Sequence, residues 1–540
     1  MCFERIRNLR VSGLKCNVSK CEALALGTGK IEPLEYNCQA ITWVEEITVT
    51  GVIFSKNTEQ CRDKNFSKCL KNLETHLNMW KQRDLSLIGK VQIIKTFGVS
   101  QLQYIMSMVT PTPEIIGKAT KLLNRFLWGS NINKIKHTAC IAPYNEGGLN
   151  MPDVQTIVDS QRVSWIKRFF CTDRNTQWNV FFEWQFEKLG GLNFFHNSNI
   201  ATRDVQNRGL ISFYESIAVA WCKFFTKGID EDNNNNILSM SLFLNTQITT
   251  CGKLNKSLFY PKLIKKGIIF INDIIDQRCI LSPEQIKIRY NLTGIETFEY
   301  ISVCKSIRKN PLIMEKIQSA GINCIFRNTK DIISCENQKT VYRALIKKIS
   351  TRPTSEGRLQ SFYTLNSEQI VNAYKLPFLV TIETKLRSFQ FNFNHLIFYT
   401  NKMLHDRKIT TNSPLCTFCN KEEETLDHLF IDCPSILPLW NELELILSYT
   451  FSRQEKIFGC YDNLNNNHFD IISHCSLLLK YYVHICRLNK NTPNTKVLVK
   501  RIQYASDLEL SIATRKNKTD RHHQKWSPYL NFFLNDVIDK

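Results

Sequence analysis

The chain has 540 residues, of which 43% are hydrophobic and 11% aromatic, and this composition excludes a globally disordered protein. A chain of this length exceeds what one compact core holds, so we expect several domains. The 70 Lys and Arg residues outnumber the 49 Asp and Glu residues, which gives a net charge of +21 and favours a polyanionic partner, either nucleic acid or an anionic membrane surface.

The membrane alternative is the weaker of the two. The sequence has no run of about 18 apolar residues that could span a bilayer, and its first residues, "MCFERIRNLR", lack the apolar core of a signal peptide. We therefore predict an intracellular protein of the cytoplasm or nucleus, without a membrane partner. Most of the 20 cysteines should be reduced there and buried as small hydrophobic residues.

The first 60 residues are predicted to form pieces of β-sheet with a short helix. The stretches "CEALALG" (21–27) and "ITVTGVIFS" (47–55) are β-rich and partly alternating, which is typical of half-buried strands. From Asn65 onwards the apolar residues recur every three or four positions, which indicates a helix. A second helical run covers 85–108, and "TPTPE" (110–114) should break it.

Residues 61–170 are therefore predicted to be a helical bundle, with a turn at "NEGGLNMPD" (145–153). Its polar positions are rich in basic residues. Any single lysine can simply face solvent, but phosphate binding depends on many charges together. The candidate nucleic-acid contacts are Lys81, Arg83, Lys90, Lys95, Lys121 and Arg125. The aromatic rings of Trp80 and Trp128 are expected to pack in the core rather than to stack on bases.

Residues 171–380 show mostly helical patterns, including a helix capped by Ser282 with Pro283 at its first position. They carry no recognisable chemistry. A further helix is predicted over 381–399, where His395 should be a packed residue, and the last part of the chain is basic. The basic run "RKNKTDRHHQK" (515–525) is either a nucleic-acid tether or a mobile end. The chain as a whole is predicted to be mainly α, of the α+β type.

One stretch, "CTFCNKEEETLDHLFIDC", has the spacing of a metal site. It places Cys416, Cys419, His428 and Cys433 in the order Cys-x2-Cys-x8-His-x4-Cys. Three thiolates and one imidazole form a closed, soft ligand set, which favours structural Zn²⁺ over a catalytic metal with an open position. Chance proximity in a cysteine-rich chain is the alternative. Because five acidic residues and one lysine lie between 416 and 433, we expect the metal to stabilise the local fold rather than to bind phosphate.

Several segments resemble, in order, the reverse transcriptases of LINE-type non-LTR retrotransposons. "VSGLKCNVSKCEALALG" (11–27) and "TVTGVIFS" (48–55) resemble palm segments that follow the catalytic Asp-Asp motif. Three stretches resemble the thumb of these enzymes. They are "WKQRDLSLIGKVQIIKTFGVSQLQYIMSMVTPTPE" (80–114), "NRFLWGS" (124–130) and the turn at 145–153. The stretch 384–433 is similar to the zinc-binding segment of these enzymes. Cys21 and Thr50 depart from the residues that are usual in the family.

The resemblance implies five regions. They are a palm remnant (1–60), a thumb-like helical bundle (61–170), a helical connector (171–380), a reverse transcriptase zinc-binding domain (381–445) and a basic helical tail (446–540). It also implies that RNA or an RNA–DNA hybrid is the partner, and no small-molecule substrate is expected. The chain contains no Asp-Asp dipeptide, so we expect no polymerase activity from it alone, although the parent family is an RNA-directed DNA polymerase.

Two other classes of function stay open. The chain could be a nuclease with a restriction-like site after the zinc segment, for which "DLEL" (507–510) is the nearest candidate. It could also be a zinc-stabilised helical interaction protein, or a translated remnant with no function. Metal-dependent nicking of DNA would favour the nuclease, and salt-dependent binding of RNA would favour a nucleic-acid-binding fragment.

Overall fold

The predicted mainly α fold is confirmed by the structure, a computed structural model. It describes residues 21–25, 42–171, 176–196, 199–206, 208–225, 239–250, 256–319, 337–409, 413–459 and 469–538. The first group of helices is α1 (Thr58–Lys81), α2 (Leu87–Ile93), α3 (Ser100–Met108), α4 (Pro113–Trp128), α5 (His137–Cys140), α6 (Val154–Cys171), α7 (Gln177–Glu187), α8 (Thr202–Val205) and α9 (Ser212–Phe225).

Further along the chain the structure is again helical. These helices are α10 (Pro261–Lys265), α11 (Pro283–Tyr290), α12 (Gly294–Arg308), α13 (Pro311–Ser319), α14 (Gln338–Ile349), α15 (Ser355–Tyr363), α16 (Ser367–Val380), α17 (Thr384–Asn394), α18 (Asn401–Asp406), α19 (Leu437–Leu447), α20 (Arg453–Phe458), α21 (Phe469–Asn489), α22 (Thr495–Arg515) and α23 (Thr519–Ile538). Short 3₁₀ turns occur at Tyr144–Glu146, Gly191–His196 and Ile271–Ile274.

The described strands form three two-stranded sheets. β1 (Glu22–Ala23) pairs in parallel with β2 (Thr42–Trp43), β3 (Glu46–Val49) pairs antiparallel with β4 (Val52–Ser55), and β5 (Ile275–Asp276) pairs antiparallel with β6 (Cys279–Ile280). The stretch 47–55 is therefore not one strand, as the sequence suggested, but a hairpin. Thr50 and Gly51 both have positive φ, at 49° and 86°, which is the geometry of a tight two-residue hairpin turn. The remainder of the predicted palm segment, 1–20 and 26–41, lies outside the described residues.

The helical run predicted over 85–108 contains an irregular turn in its middle. Between α2 and α3 the residues Ile94–Val99 form a π-helical turn, so the backbone continues without a break. Ser86 caps the start of α2, because its hydroxyl accepts a hydrogen bond from the Gly89 amide at 3.2 Å. The run ends at Met108, and α4 begins at Pro113, as the two prolines predicted.

The predicted cap in the middle region is confirmed. Ser282 Oγ accepts a hydrogen bond from the Gln285 amide at 3.2 Å, and Gln285 Oε1 accepts one from the Ser282 amide at 2.8 Å. This reciprocal pair is a capping box, and Pro283 follows at the first helical position of α11. The predicted helix over 381–399 is shorter, because α17 ends before Leu396, which has a left-handed φ of 52°.

By its contacts the chain divides into two compact units that interleave along the sequence. The first unit consists of residues 1–74, 99–120 and 153–348. It has one buried apolar cluster built largely from aromatic rings of α6, α7 and α9, and a second built from α10 to α13. The second unit consists of residues 75–98, 121–152 and 349–540. The boundaries predicted at 60, 170, 380 and 445 stay predictions.

The basic end of the chain is not a mobile extension in the described part. Trp526 is fully buried and Tyr529 is 3% exposed, and both belong to the apolar core of the second unit together with residues of α21 and α22. Lys525 donates hydrogen bonds to Glu509 at 2.8 Å and to the backbone oxygen of Val380 at 2.7 Å. The helices α22 and α23 are thus part of a packed unit, which counts against the mobile-end alternative for 515–525.

Candidate metal centre

The backbone of the second unit brings the four predicted ligands together in two pairs. Cys416 and Cys419 lie on a tight turn, where the Asn420 amide donates to the Cys416 oxygen at 3.0 Å and the Cys416 amide to the Glu422 oxygen at 2.8 Å. His428 opens a π-helical turn that ends at Asp432. In that turn the Cys433 amide bonds to the His428 oxygen at 2.8 Å, which places two residues five positions apart on one side.

The distances between the ligand atoms fit a tetrahedral zinc ion. Zn–S bonds of about 2.3 Å and Zn–N bonds of about 2.0 Å require edges of about 3.8 Å between sulfurs and about 3.5 Å between sulfur and nitrogen. The Sγ atoms of Cys416 and Cys433 lie 3.8 Å apart, and Cys419 Sγ lies 3.3 Å from His428 Nε2. All four ligand atoms lie within 4.8 Å of one another. These side chains could therefore hold one ion.

Burial of the cluster makes it a structural rather than an open site. Cys416 and Cys433 are fully buried and His428 is 4% exposed. As free thiols, Cys416 and Cys433 have pKa values raised by burial, that of Cys416 to about 12. Burial also acts on Cys419, but hydrogen bonds from the Lys421 and Glu422 amides and from His428 outweigh it and lower its pKa to about 6. A metal would displace protons from the buried thiols.

An acidic side chain lies next to the far side of the histidine ring. His428 Nε2 faces Cys419, while Nδ1 lies 2.9 Å from the Glu422 carboxylate, whose side chain is 72% exposed. Metal-bound histidines commonly have such a carboxylate on the second nitrogen, because it fixes the ring and strengthens the nitrogen that binds the metal. The Trp440 indole closes the same turn by donating to the Phe430 oxygen at 2.7 Å.

A buried ion pair connects the cysteine turn to the long helix α21. Glu424 is fully buried, and its carboxylate lies 2.7 Å from Arg487 Nη2 and 2.9 Å from Arg487 Nε. The same carboxylate accepts hydrogen bonds from the amide of Asn401 at 2.9 Å and from the amide and hydroxyl of Thr417 at 3.0 and 2.6 Å. Since Thr417 lies between the first two cysteines, this carboxylate positions the turn that carries them.

The acidic character of the loop is largely neutralised within the second unit. Arg453 binds the Asp432 carboxylate with two hydrogen bonds of 2.8 and 2.7 Å, and Lys402 pairs with Glu423. With the pair between Glu424 and Arg487, three of the five acidic side chains between 416 and 433 have basic partners. Their charges therefore hold the segment together rather than form a free negative surface.

The six predicted nucleic-acid contacts all belong to the second unit, on or next to α1, α2 and α4. Lys81, Arg83, Lys121 and Arg125 are exposed. Lys90 and Lys95 are half-buried, and burial lowers the pKa of both. The structure thus presents four of these side chains to solvent, and nucleic-acid contact itself stays a prediction. Trp128 is buried as expected, whereas Trp80 is half-buried against the Phe97 ring.

One partner of the site, Arg487, was not found from the sequence. Arg487 is 63 residues from Glu424, and the sequence signal was an arginine near the end of a largely apolar helical stretch. His395 is packed, as expected, at 2% exposure, and its Nε2 lies 2.8 Å from the Gly147 oxygen, 248 residues away.

No helix in the described part of the chain is long and apolar enough to cross a membrane.

Comparisons with known proteins agree with this geometry. Residues 359–440 match the family described as zinc-binding in reverse transcriptase, and this range contains all four ligands. An uncharacterised 149 kDa protein of transposon TX1 from Xenopus laevis is 28% identical over 171 residues, which are 31% of this chain and 13% of that protein. A putative ribonuclease H protein from Arabidopsis thaliana is 22% identical over 120 residues, 21% of this chain and 19% of that protein.

The chain is a mainly α protein with a segment similar to the zinc-binding segment of reverse transcriptases, and zinc is its metal. The predicted resemblance to the C-terminal part of a non-LTR retrotransposon reverse transcriptase is confirmed by this match and by the similarity to a transposon protein. The aligned parts span less than a fifth of either relative.

Proposed function

We propose that this chain acts as the C-terminal part of a LINE-type reverse transcriptase that binds RNA or an RNA–DNA hybrid, with one structural zinc ion. The observation that carries the proposal is the closed Cys3His cluster inside a segment similar to reverse transcriptase zinc-binding segments. Because four protein ligands leave no open position, the ion stabilises the fold and does no chemistry.

The nucleic-acid part of the proposal is supported by charge. The chain carries a net charge of +21, and four of the predicted contacts are exposed on or next to helices of the unit that holds the cluster. The acidic side chains around the cluster are mostly paired, so they do not repel a phosphate backbone as the bare sequence suggested. Binding of this kind gains much of its free energy from released counterions and weakens as salt rises.

Polymerase chemistry is not part of the proposal. Nucleotide transfer requires paired carboxylates that hold two metal ions, and the sequence contains no adjacent Asp-Asp. The nuclease alternative is weakened because Glu509 of the "DLEL" stretch already accepts hydrogen bonds from Lys525 at 2.8 Å and Trp526 at 2.9 Å. That carboxylate is therefore occupied by structural partners.

The first test is the zinc content of the purified full chain by elemental analysis. We expect one zinc ion per chain, and loss of that ion in both Cys416→Ser and His428→Ala. Cys279→Ser is a matched control, because this cysteine is exposed and lies outside the cluster. A folded chain without zinc would refute the metal site.

The second test is binding of a labelled RNA at several salt concentrations. We expect the logarithm of the binding constant to fall linearly with the logarithm of the salt concentration, with a slope of roughly −0.7 for each phosphate contact on a single strand. No binding at low salt would refute the nucleic-acid function and would leave the zinc-stabilised interaction protein or the non-functional remnant. Magnesium-dependent nicking of plasmid DNA would instead revive the nuclease.

A further inference from the structure

An open cavity with mostly apolar walls lies beside the metal cluster, within the second unit. Its volume is about 330 Å³. Leu396 and Met403 form one side of the lining, and Leu426, on the loop that leads to the histidine ligand, belongs to the other. These three side chains are only half-buried, so a ligand can reach them. The cavity has the size of a small ligand site, for which roughly 300–1,000 Å³ is usual, and it is too small for a helix.

Both sides of the cavity are fixed by local hydrogen bonds. Thr400 caps α18, because its hydroxyl accepts a hydrogen bond from the Met403 amide at 3.3 Å. On the other side the Thr425 hydroxyl accepts one from the His428 amide at 3.0 Å. The wall that carries Leu426 is therefore tied to the turn that presents a metal ligand, and the ion would help to hold the cavity in shape.

Hydrogen-bonding groups line the same cavity. Thr425 and Asp406 are both among the lining residues. Since the Thr425 oxygen accepts from the His428 amide, its own hydrogen can be donated to a ligand. The Asp406 carboxylate is 61% exposed, has a long contact of 3.8 Å to the His405 ring, and can accept. An aliphatic side chain would use neither group, whereas a ligand with apolar faces and a polar edge uses both.

Positive charge at the cavity then selects among such ligands. Lys402 and Arg407 line it. Lys402 pairs with Glu423, but within the described residues Arg407 forms no ion pair. The Arg407 guanidinium lies 6.0 Å from the centroid of the Tyr399 ring, and Lys134 Nζ lies 5.1 Å from the same centroid. These charges alone would not define a site, but beside an apolar cavity they favour a ligand that carries negative charge.

An unpaired base of a nucleic-acid strand combines these properties. It has flat apolar faces and a polar edge, and the phosphate next to it is negative. We propose that this cavity holds one unpaired base of bound RNA, with its faces against Leu396, Met403 and Leu426 and the adjacent phosphate beside Arg407. The inference deepens the proposed function and rests on it, because it adds a base contact to the phosphate contacts of the basic helices.

The first experiment uses the wild-type full chain. A short single-stranded RNA that carries thiouridine at several positions is bound at low salt and irradiated, and the crosslinked peptides are identified by mass spectrometry. Thiouridine reacts only with groups in contact with the base, so we expect crosslinks within 396–407 or at 425–426. Crosslinks confined to other parts of the chain would refute the site, and the cavity would then fit an apolar side chain of a partner protein.

The second experiment fills the cavity without changing any charge. Met403→Trp places a larger side chain in one wall, and we expect its RNA affinity to fall about 5- to 150-fold, which corresponds to the loss of one stacked base. The salt dependence of binding should keep its slope, because the phosphate contacts remain. Met108→Trp is the matched control, since Met108 is 46% exposed at the end of α3, and it should bind RNA as the wild type does.

The outcomes separate this inference from the proposed function. Variants are compared only where elemental analysis finds the zinc content of the wild type. Unchanged affinity in Met403→Trp would refute the base site, and so would a shallower salt slope, because phosphates rather than a base would then have been displaced. If Met403→Trp does not fold, the crosslinks of the wild-type chain decide. Failure of the wild type to bind RNA at low salt would refute the proposed function itself.

Discussion

Replacing Glu424 by glutamine should loosen the metal centre without touching a ligand. The substitution removes the charge that faces Arg487, which lies 2.7 Å away with a side chain only 11% exposed. It also offers an amide hydrogen to a position where three donors from Asn401 and Thr417 now converge. Breaking a buried pair in this way typically costs about 3–5 kcal/mol, because the remaining charge stays buried without compensation.

A carboxylate of the same loop provides the control. Glu423 pairs with Lys402, but both side chains are well exposed, at 54% and 39%. Exposed pairs contribute at most about 1 kcal/mol, so Glu423→Gln should change the free energy of unfolding by less than that. The two variants remove the same charge one residue apart and differ mainly in burial and in the contact with Thr417.

The assay measures zinc affinity by competition with a chromophoric chelator and stability by urea unfolding. Outer contacts that orient metal ligands commonly affect affinity 10- to 100-fold, and we expect Glu424→Gln to fall in that range while Glu423→Gln stays near wild type. Equal zinc affinities and equal unfolding midpoints for the two variants would refute the reasoning that Glu424 positions the cysteine turn.

Other parts of the second unit give further expected outcomes. Gly148→Ala should lower the thermal midpoint, because a Cβ there would lie 1.9 Å from the Ala142 oxygen and overpacking costs about 1–3 kcal/mol or more. The pKa of His395 in the folded chain is about 4 against 6.5 for the free side chain, so the unfolded chain binds the extra proton and stability falls with acidification through that window. The loss from pH 7 to pH 5 is about 2 kcal/mol, and urea titrations should find a weaker pH dependence in His395→Gln. Arg453→Gln breaks the exposed pair with Asp432 and a longer contact of 3.9 Å with Asp427, and should change the urea midpoint by the equivalent of about 1 kcal/mol or less; a larger loss would contradict this.

The metal ligands could be predicted because the information is local. Cys416, Cys419, His428 and Cys433 lie within 18 consecutive residues, so their spacing alone indicates a shared ion. The mainly helical fold and the cap at Ser282 could be predicted as well. The spacing of apolar residues along a helix and the capping of its first turn both depend on only a few neighbouring residues.

The features that the sequence did not predict depend on contacts between distant segments or on unusual turns. No periodicity in the sequence indicates that Arg487 neutralises Glu424 or that His395 bonds to Gly147. The hairpin over 47–55 was missed because its turn residue Thr50 is not the asparagine or aspartate that normally precedes glycine there. The interleaving of the two units along the chain could not be predicted either, because no short stretch of sequence shows which distant segments pack together.

The make-up of the second unit sets the order in which it can form during synthesis. The amide of Ile88 donates to Ser388 Oγ at 3.3 Å across a separation of 300 residues. At a synthesis rate of about 5–20 residues per second, the first partner waits roughly 15–60 s for the second. Over that time the apolar side chains of α2 have no native neighbours from 349–540 to cover them. A ribosome that stops early would leave a product with part of this unit exposed, which cellular quality control can recognise and degrade.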